Sequence, residues 1–208
     1  MTTTSGATDQ LGPAGQVGQA GPVVVLVGPP GAGKTTVGQL VAARLGLPFA
    51  DTDRLVEKDT GSTVADLFVQ RGEAAFRALE RAAVSTALAG RPGVLALGGG
   101  APMDPDTRKL LATAPVAFLD VGAAAAAARV GMDRSRPLLL GNVRGQLRQL
   151  LEVRRPVYFA VATVTVPTED ATPEQVADAV IGALGLTGDV PDSRDGSVGD
   201  TDDGDVGA

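Results

Sequence analysis

The 208-residue chain contains no histidine and no cysteine. Their absence excludes Ser-His and Cys-His nucleophile systems, histidine general bases, zinc sites and disulfide bonds. Any metal must therefore be held by oxygen ligands, which suits Mg²⁺, and proton transfer falls to carboxylates, lysine or tyrosine. Aromatic residues make up only 3% of the chain, which argues against stacking platforms for nucleic acid. We expect no nucleic-acid partner.

Long hydrophobic runs are also missing, since no stretch of 18 apolar residues occurs and no membrane-spanning segment is predicted. The first residues have neither a charged region nor an apolar run typical of a signal peptide. We therefore expect a cytoplasmic enzyme that does not act at a membrane. The length predicts one α/β domain, at about 22–186. The flanking segments 1–21 and 187–208 are predicted to be disordered extensions.

The net charge of −6 is unevenly distributed. Residues 187–208 carry seven aspartates and one arginine, which alone give −6, so the other 186 residues balance to zero. Within them, the segment 129–155 has seven arginines against Asp133 and Glu152, a local excess of +5. Such a segment suits anionic small molecules, although a face of solvated arginines is an equally good interpretation at this point.

The motif Gly28-Pro29-Pro30-Gly31-Ala32-Gly33-Lys34-Thr35 follows a short apolar run and fits the P-loop pattern G-x-x-x-x-G-K-[ST]. In a strand–loop–helix context, its N–H groups and the helix N-terminus would bind phosphates. Lys34 would reach the β- and γ-phosphates, and the Thr35 hydroxyl would hold Mg²⁺. The residues predicted to bind ATP from this loop are Gly31, Ala32, Gly33, Lys34, Thr35 and Thr36.

Apolar strands alternate with helical stretches along the domain. Strands are predicted at 23–27, 47–50, 94–97, 115–120 and 163–166, and helices at 34–45, 53–60, 63–71, 73–89, 122–130, 143–160 and 173–184. This alternation predicts a three-layer α/β sandwich with a parallel sheet. Ligands then bind beyond the carboxyl ends of the strands, where the P-loop, Asp51, Asp53 and the glycines 98–100 all fall.

Asp51 and Asp53 are two residues apart at a predicted strand end, so both side chains should point to the same side. Phosphoryl transfer needs one carboxylate near Mg²⁺ and another to accept the proton of the attacking hydroxyl. The alternative interpretation is that Asp53 only caps the next helix.

Five further features follow in order: Asp51-Thr52-Asp53, Phe76-Arg77-Ala78-Leu79-Glu80, Gly98-Gly99-Gly100, Arg136-Pro137-Leu138-Leu139 and Arg154-Arg155-Pro156-Val157-Tyr158. With the P-loop, they resemble the shikimate kinase family over about 22–186. The resemblance implies a P-loop NTPase fold with a five-stranded parallel sheet and a mobile lid at about 131–142. It also implies ATP-dependent, Mg²⁺-dependent phosphorylation of the 3-hydroxyl of shikimate. We expect ATP and shikimate as partners and a monomeric state.

The resemblance also implies residue roles. Asp53 binds the substrate hydroxyls and acts as the base, and Asp51 supports Mg²⁺ alongside Thr35. Lys34 and the lid residue Arg136 approach the phosphates as catalytic groups. Shikimate is bound by Arg77 and Arg154, which grip its carboxylate, and by the backbone of Gly99 and Gly100, while Arg129 lies near the adenine. Glu80 is placed to hold the orientation of Arg77, three residues earlier on a helix.

Two alternatives come from other classes. A gluconate or nucleoside-monophosphate kinase would share the P-loop, but it would lack the paired arginines or the glycine triplet in this order. A regulatory GTPase would recognise guanine through Asn-Lys-x-Asp, but the only asparagine, Asn142, is followed by Val143.

Overall fold

A computed structural model describes residues 21–90, 92–131 and 143–187. Their centre is a five-stranded sheet in the order β2-β3-β1-β4-β5, and every pairing in it is parallel. The strands are β1 Val24–Val27, β2 Phe49–Asp51, β3 Val94–Ala96, β4 Val116–Asp120 and β5 Val164–Pro167. The P-loop strand β1 lies in the middle, so the loop after it emerges at the centre of the carboxyl edge.

Seven helices connect and cover the strands within the described residues. They are α1 Lys34–Leu45, α2 Thr52–Thr60, α3 Val64–Leu88, α4 Pro105–Leu111, α5 Ala123–Gly131, α6 Val143–Val161 and α7 Pro173–Ala183, with a 3-10 turn at Ala101–Met103. The long helix α3 is kinked at Gly72, whose backbone is not helical. Parallel strands need such crossovers, and the predicted three-layer α/β sandwich follows from them.

Alternate residues of each strand point to opposite faces of the sheet and form two separate cores. Leu26 and Leu119 belong to the core that also contains residues of α1 and α7, whereas Val25 and Phe118 belong to the core that includes residues of α3, α4 and α6. A third, small core under α2 and α3 is made of Val56, Leu67 and Phe76. This third core supports the part of the chain that carries Arg77.

The predicted strands agree with the structure within about two residues, and helix α1 has the predicted bounds. No helix was predicted from the sequence between 101 and 114, where the structure has the 3-10 turn and α4. A signal was present, because Asp104 accepts hydrogen bonds from the backbone N–H groups of Asp106 and Thr107, and Pro105 occupies the first turn. Among the described residues, no helix combines the length and apolar character that crossing a membrane requires.

Candidate active site

The P-loop joins β1 to α1 as the sequence predicts. Gly33 stands at the N-terminus of α1 with φ 89°, a left-handed conformation that glycine adopts without strain. Gly31 lies close to α5, because a Cβ there would come within 2.7 Å of the Ala126 carbonyl oxygen. The ammonium of Lys34 donates to the carbonyl oxygens of Gly28, at 2.8 Å, and Pro29, at 3.1 Å. The lysine is thus held over the loop that would carry phosphates.

Thr35, in the first turn of α1, and Asp51, at the end of β2, lie side by side. The Thr35 hydroxyl donates to Asp51 Oδ2 at 2.8 Å, and Asp51 Oδ1 accepts from the backbone N–H of Asp53 at 3.0 Å. Asp51 is therefore the N-cap of α2 as well as the neighbour of the P-loop threonine. This corrects the capping interpretation, since it is Asp51 and not Asp53 that caps the helix.

Asp53 belongs to the first turn of α2, so the expectation of two aspartates on one extended strand end is wrong in its geometry. Its carboxylate lies at the glycine turn: a Cβ on Gly98 would be 2.5 Å from Asp53 Oδ1 and 2.6 Å from Glu80 Oε1. The N–H of Gly98 donates to the buried Thr52 hydroxyl at 2.9 Å. The capped helix thus brings Asp53 to the turn after β3.

Arg77 covers the other side of the same turn. A Cβ on Gly100 would overlap the Arg77 guanidinium, so any side chain there would displace the guanidinium from the turn. The guanidinium donates to Glu80 at 2.6 Å and to Glu73 at 3.1 Å, and it lies 5.5 Å from the ring centre of Phe76. Burial alone would lower the pKa of Arg77, but the bonds and charges of both glutamates outweigh it and the pKa is raised. Arg77 is therefore a fixed cation that keeps further N–H donors.

Glu80 links the charged groups of the site. Burial raises the pKa of Glu80 above its ordinary value; the hydrogen bond and charge of Arg77 oppose this, the charge of Asp53 adds to it, and the charge of Arg154 opposes it. Arg154 of α6 therefore lies near enough to act on the same carboxylate. The structure brings Asp53, Arg77, Arg154 and the glycine turn together, with Glu80 as the group between them.

Arg129 lies at the opposite end of the P-loop. It donates to the carbonyl oxygen of Gly31 at 3.3 Å and to the hydroxyl and carbonyl oxygens of Thr168, at 3.2 and 2.6 Å. It therefore ties α5 to the P-loop and to the residue after β5, away from Arg77. Arg136 and the predicted lid, except for Gly131, lie outside the described residues.

Three supporting side chains were not predicted from the sequence: Thr52, Tyr158 and Thr168. Each is buried and bonded to a residue of the site, as Thr52 is to Gly98, Tyr158 to Gly99 and Thr168 to Arg129. Thr52 and Tyr158 stand in two of the motifs that carry the family resemblance, but neither was assigned a role. All three hydrogen bonds join distant parts of the chain, so local sequence does not reveal them.

Comparison with known proteins is consistent with this geometry. The sequence model of the shikimate kinase family matches residues 30–185. Among curated relatives, the shikimate kinase of Thermobifida fusca is 53% identical over 168 residues, which cover 81% of this chain and 98% of that protein. The shikimate kinase of Streptomyces coelicolor is 52% identical over 165 residues, which cover 79% and 96%.

Among solved structures, shikimate kinase from Acinetobacter baumannii in complex with shikimate is 34% identical, with a TM-score of 0.73. The match covers 83% of this chain and 97% of that one. Shikimate kinase from Bacteroides thetaiotaomicron is 31% identical, with a TM-score of 0.70 over 78% of this chain and 98% of that one. The five-stranded parallel fold predicted from the sequence is the fold of these proteins.

Proposed function

The chain belongs to the shikimate kinase family, and on that premise we propose that its site transfers the γ-phosphoryl group of ATP to the 3-hydroxyl of shikimate. The products are shikimate 3-phosphate and ADP. One observation carries the proposal. The glycine turn 98–100 lies directly in front of the P-loop and is contacted by the carboxylates of Asp53 and Glu80 and by the guanidinium of Arg77. A Cβ on Gly99 would lie 3.4 Å from the Gly28 carbonyl oxygen. An acceptor on this turn would face the phosphates.

On the nucleotide side, backbone N–H groups of the loop 31–36 and the N-terminus of α1 bind the phosphates. Lys34 exchanges its two loop carbonyls for phosphate oxygens and neutralises the charge that grows during transfer. Arg129 borders the loop from α5 and is proposed to lie near the adenine. Arg136 is proposed to approach the phosphates when a lid closes, although it lies outside the described residues.

Thr35 and Asp51 fit a Mg²⁺ ion, because their hydroxyl and carboxylate oxygens are hard donors held 2.8 Å apart. No cluster of three or more acidic side chains suited to a metal occurs in the part of the chain that the structure describes. Water and phosphate oxygens would supply the remaining ligands, as is usual for this ion. When bound, Mg²⁺ neutralises phosphate charge.

On the acceptor side, Asp53 lies at the turn that would hold the substrate ring. Its carboxylate accepts a hydrogen bond from the 3-hydroxyl and takes the proton as the oxygen attacks the γ-phosphorus. Arg77 and Arg154 bind the carboxylate of shikimate, because two guanidinium groups match a planar carboxylate well. The N–H groups of Gly99 and Gly100 orient the acceptor between these contacts.

The test is a coupled assay of ADP release with shikimate, quinate and gluconate in turn. We expect release with shikimate and little with gluconate. Thermal-shift measurements with ATP, GTP, shikimate and gluconate complement it, because a ligand stabilises only a protein that binds it. Release with gluconate but not with shikimate would reject the proposal in favour of the gluconate kinase alternative.

We also propose that the enzyme is a monomer and works in the cytoplasm. Four large apolar side chains are exposed among the described residues: Val69 on α3, Leu110 on α4, and Val153 and Phe159 on α6. Such scattered exposure is ordinary for a monomer. Light scattering coupled to gel filtration tests the oligomeric state directly.

A further inference from the structure

Tyr158 is the only tyrosine of the chain, and its side chain is fully buried beneath the glycine turn. It lies on α6, where its ring packs against Phe118 with the ring centres 5.2 Å apart. Its hydroxyl donates a hydrogen bond to the carbonyl oxygen of Gly99 at 2.6 Å. A buried hydroxyl of this kind fixes the peptide that it contacts, because an unpaired carbonyl would be costly there.

The Gly99 carbonyl and the Gly100 N–H belong to one peptide unit. A trans peptide is planar, and its C=O and N–H point in opposite directions. By holding the carbonyl from one side, Tyr158 fixes the direction of the Gly100 N–H on the other. Glycines have no side chain to limit rotation about the backbone bonds on either side of this peptide. The hydrogen bond from Tyr158 therefore has an unusually large effect on the orientation of the peptide.

Arg154 lies one helical turn earlier on α6, and its charge acts on the same hydroxyl. Burial raises the pKa of Tyr158, and the charge of Arg154 with its hydrogen bond acts in the opposite direction. The hydroxyl is therefore protonated at neutral pH and donates to Gly99.

We propose that Tyr158 is a positioning residue for the acceptor substrate: its hydroxyl holds the Gly99 carbonyl and so aims the Gly99–Gly100 peptide at the site. The acceptor is shikimate, which rests on the proposed function. Tyr158 itself touches neither substrate. Its removal therefore changes how well the acceptor is held, while the P-loop stays intact.

The experiment compares Tyr158→Phe with wild type in the shikimate-dependent assay. The variant keeps the ring and its packing and loses only the hydroxyl. We expect KM for shikimate to rise about five- to thirtyfold, the effect of losing a buried hydrogen bond, with a smaller fall in kcat. KM for ATP should stay within about twofold, because the Tyr158 hydroxyl is bonded to the turn that holds the acceptor.

A control variant separates positioning from lost stability. Val116→Ala removes buried volume from the same core without touching the turn, so it should lower Tm and leave both KM values unchanged.

The proposal is overturned if KM for shikimate is unchanged in Tyr158→Phe, or if both KM values rise together. The wild-type assay keeps this separate from the proposed function. A wild type without shikimate-dependent ADP release would reject the function, whereas an active wild type matched by Tyr158→Phe would reject only the role of Tyr158.

Discussion

Asp53 and Arg77 lie against the first and last glycines of one turn, Gly98 and Gly100, and they are proposed to bind opposite ends of the acceptor. Losing the charge-assisted contact of Arg77 in Arg77→Ala should cost about 2–4 kcal/mol of acceptor binding, or 30- to 1,000-fold in KM for shikimate. Asp53→Asn keeps the shape and removes the base, so kcat should fall by at least about a hundredfold. Steady-state kinetics in both substrates separate the two effects.

Arg71→Ala is the matched control for these variants, since Arg71 is an exposed arginine on the same helix and should leave the kinetics unchanged. ATP titrations should show normal nucleotide binding by all three variants. The assignment fails if Asp53→Asn keeps the wild-type kcat, or if Arg77→Ala weakens ATP and leaves shikimate untouched.

Glu80 gives the site a predictable dependence on pH. Burial raises its pKa above the ordinary value of 4.5, so the folded state prefers the protonated form and ionisation costs stability. This cost is absent when the pH is below the ordinary pKa, and it reaches its full size when the pH is above the raised pKa of folded Glu80. Glu80→Gln removes it. The Tm of the variant minus that of wild type should therefore increase as pH rises from about 4 to neutrality. Thermal melts across this range measure it, and a difference that decreases would contradict the sign.

The residues of the site were predictable where local sequence determines their position. The P-loop motif was enough to predict the phosphate-binding loop. The spacing of Arg77 and Glu80 on one helix was enough to predict the contact between their side chains, which is present at 2.6 Å. Asp53 was predicted at the site but with the wrong backbone, because the cap formed by Asp51 turns the chain into a helix one residue earlier. Tyr158 was not predicted, since its partner is 59 residues away in the sequence.

At the scale of elements, the spacing of apolar residues was enough to predict whether each long segment is a helix or a strand. The short helix α4 was missed because seven residues are too few to show a helical period. The break that the sequence predicts at Gly72, between 63–71 and 73–89, is the kink of α3. That kink separates the turn bearing Phe68 from the turn bearing Phe76 and Arg77. Gly72 therefore marks the start of the helical segment that carries Arg77.

Gly72 has φ 78° and ψ 167°, a region that residues with a side chain avoid. Gly72→Ala should destabilise the protein by about 1–3 kcal/mol although there is open space for the added methyl group. Gly182→Ala is the matched control, because Gly182 lies in helix α7 with equally open surroundings. There the substitution should stabilise by about 0.4–1 kcal/mol. Urea unfolding of both variants measures the difference, and equal shifts would show that the backbone of Gly72 carries no strain.

At the scale of the molecule, the sheet order places the site. The chain runs from β1 to β2 and β3 on one side and then to β4 and β5 on the other, so the crossovers diverge around β1. The crevice between diverging crossovers is where open α/β sheets bind ligands. Alternation of elements in the sequence predicts such a sheet, but the order of strands depends on packing between distant segments. Membership of the shikimate kinase family agrees with the prediction from the sequence.

The charge of the whole chain leads to the last prediction. Residues 187–208 carry all of the net charge of −6, and segment 1–21 has few apolar residues. Segments of such composition bury too little apolar surface to compensate for ordering. A shortened protein covering about 20–187 should therefore fold and phosphorylate shikimate with the kcat/KM of the full chain. Kinetics at low and at high salt measure this, because any attraction between the acidic segment and the arginine-rich segment 129–155 would appear only at low salt. A tenfold loss of kcat/KM at both salt concentrations would mean that one extension contributes contacts to the domain.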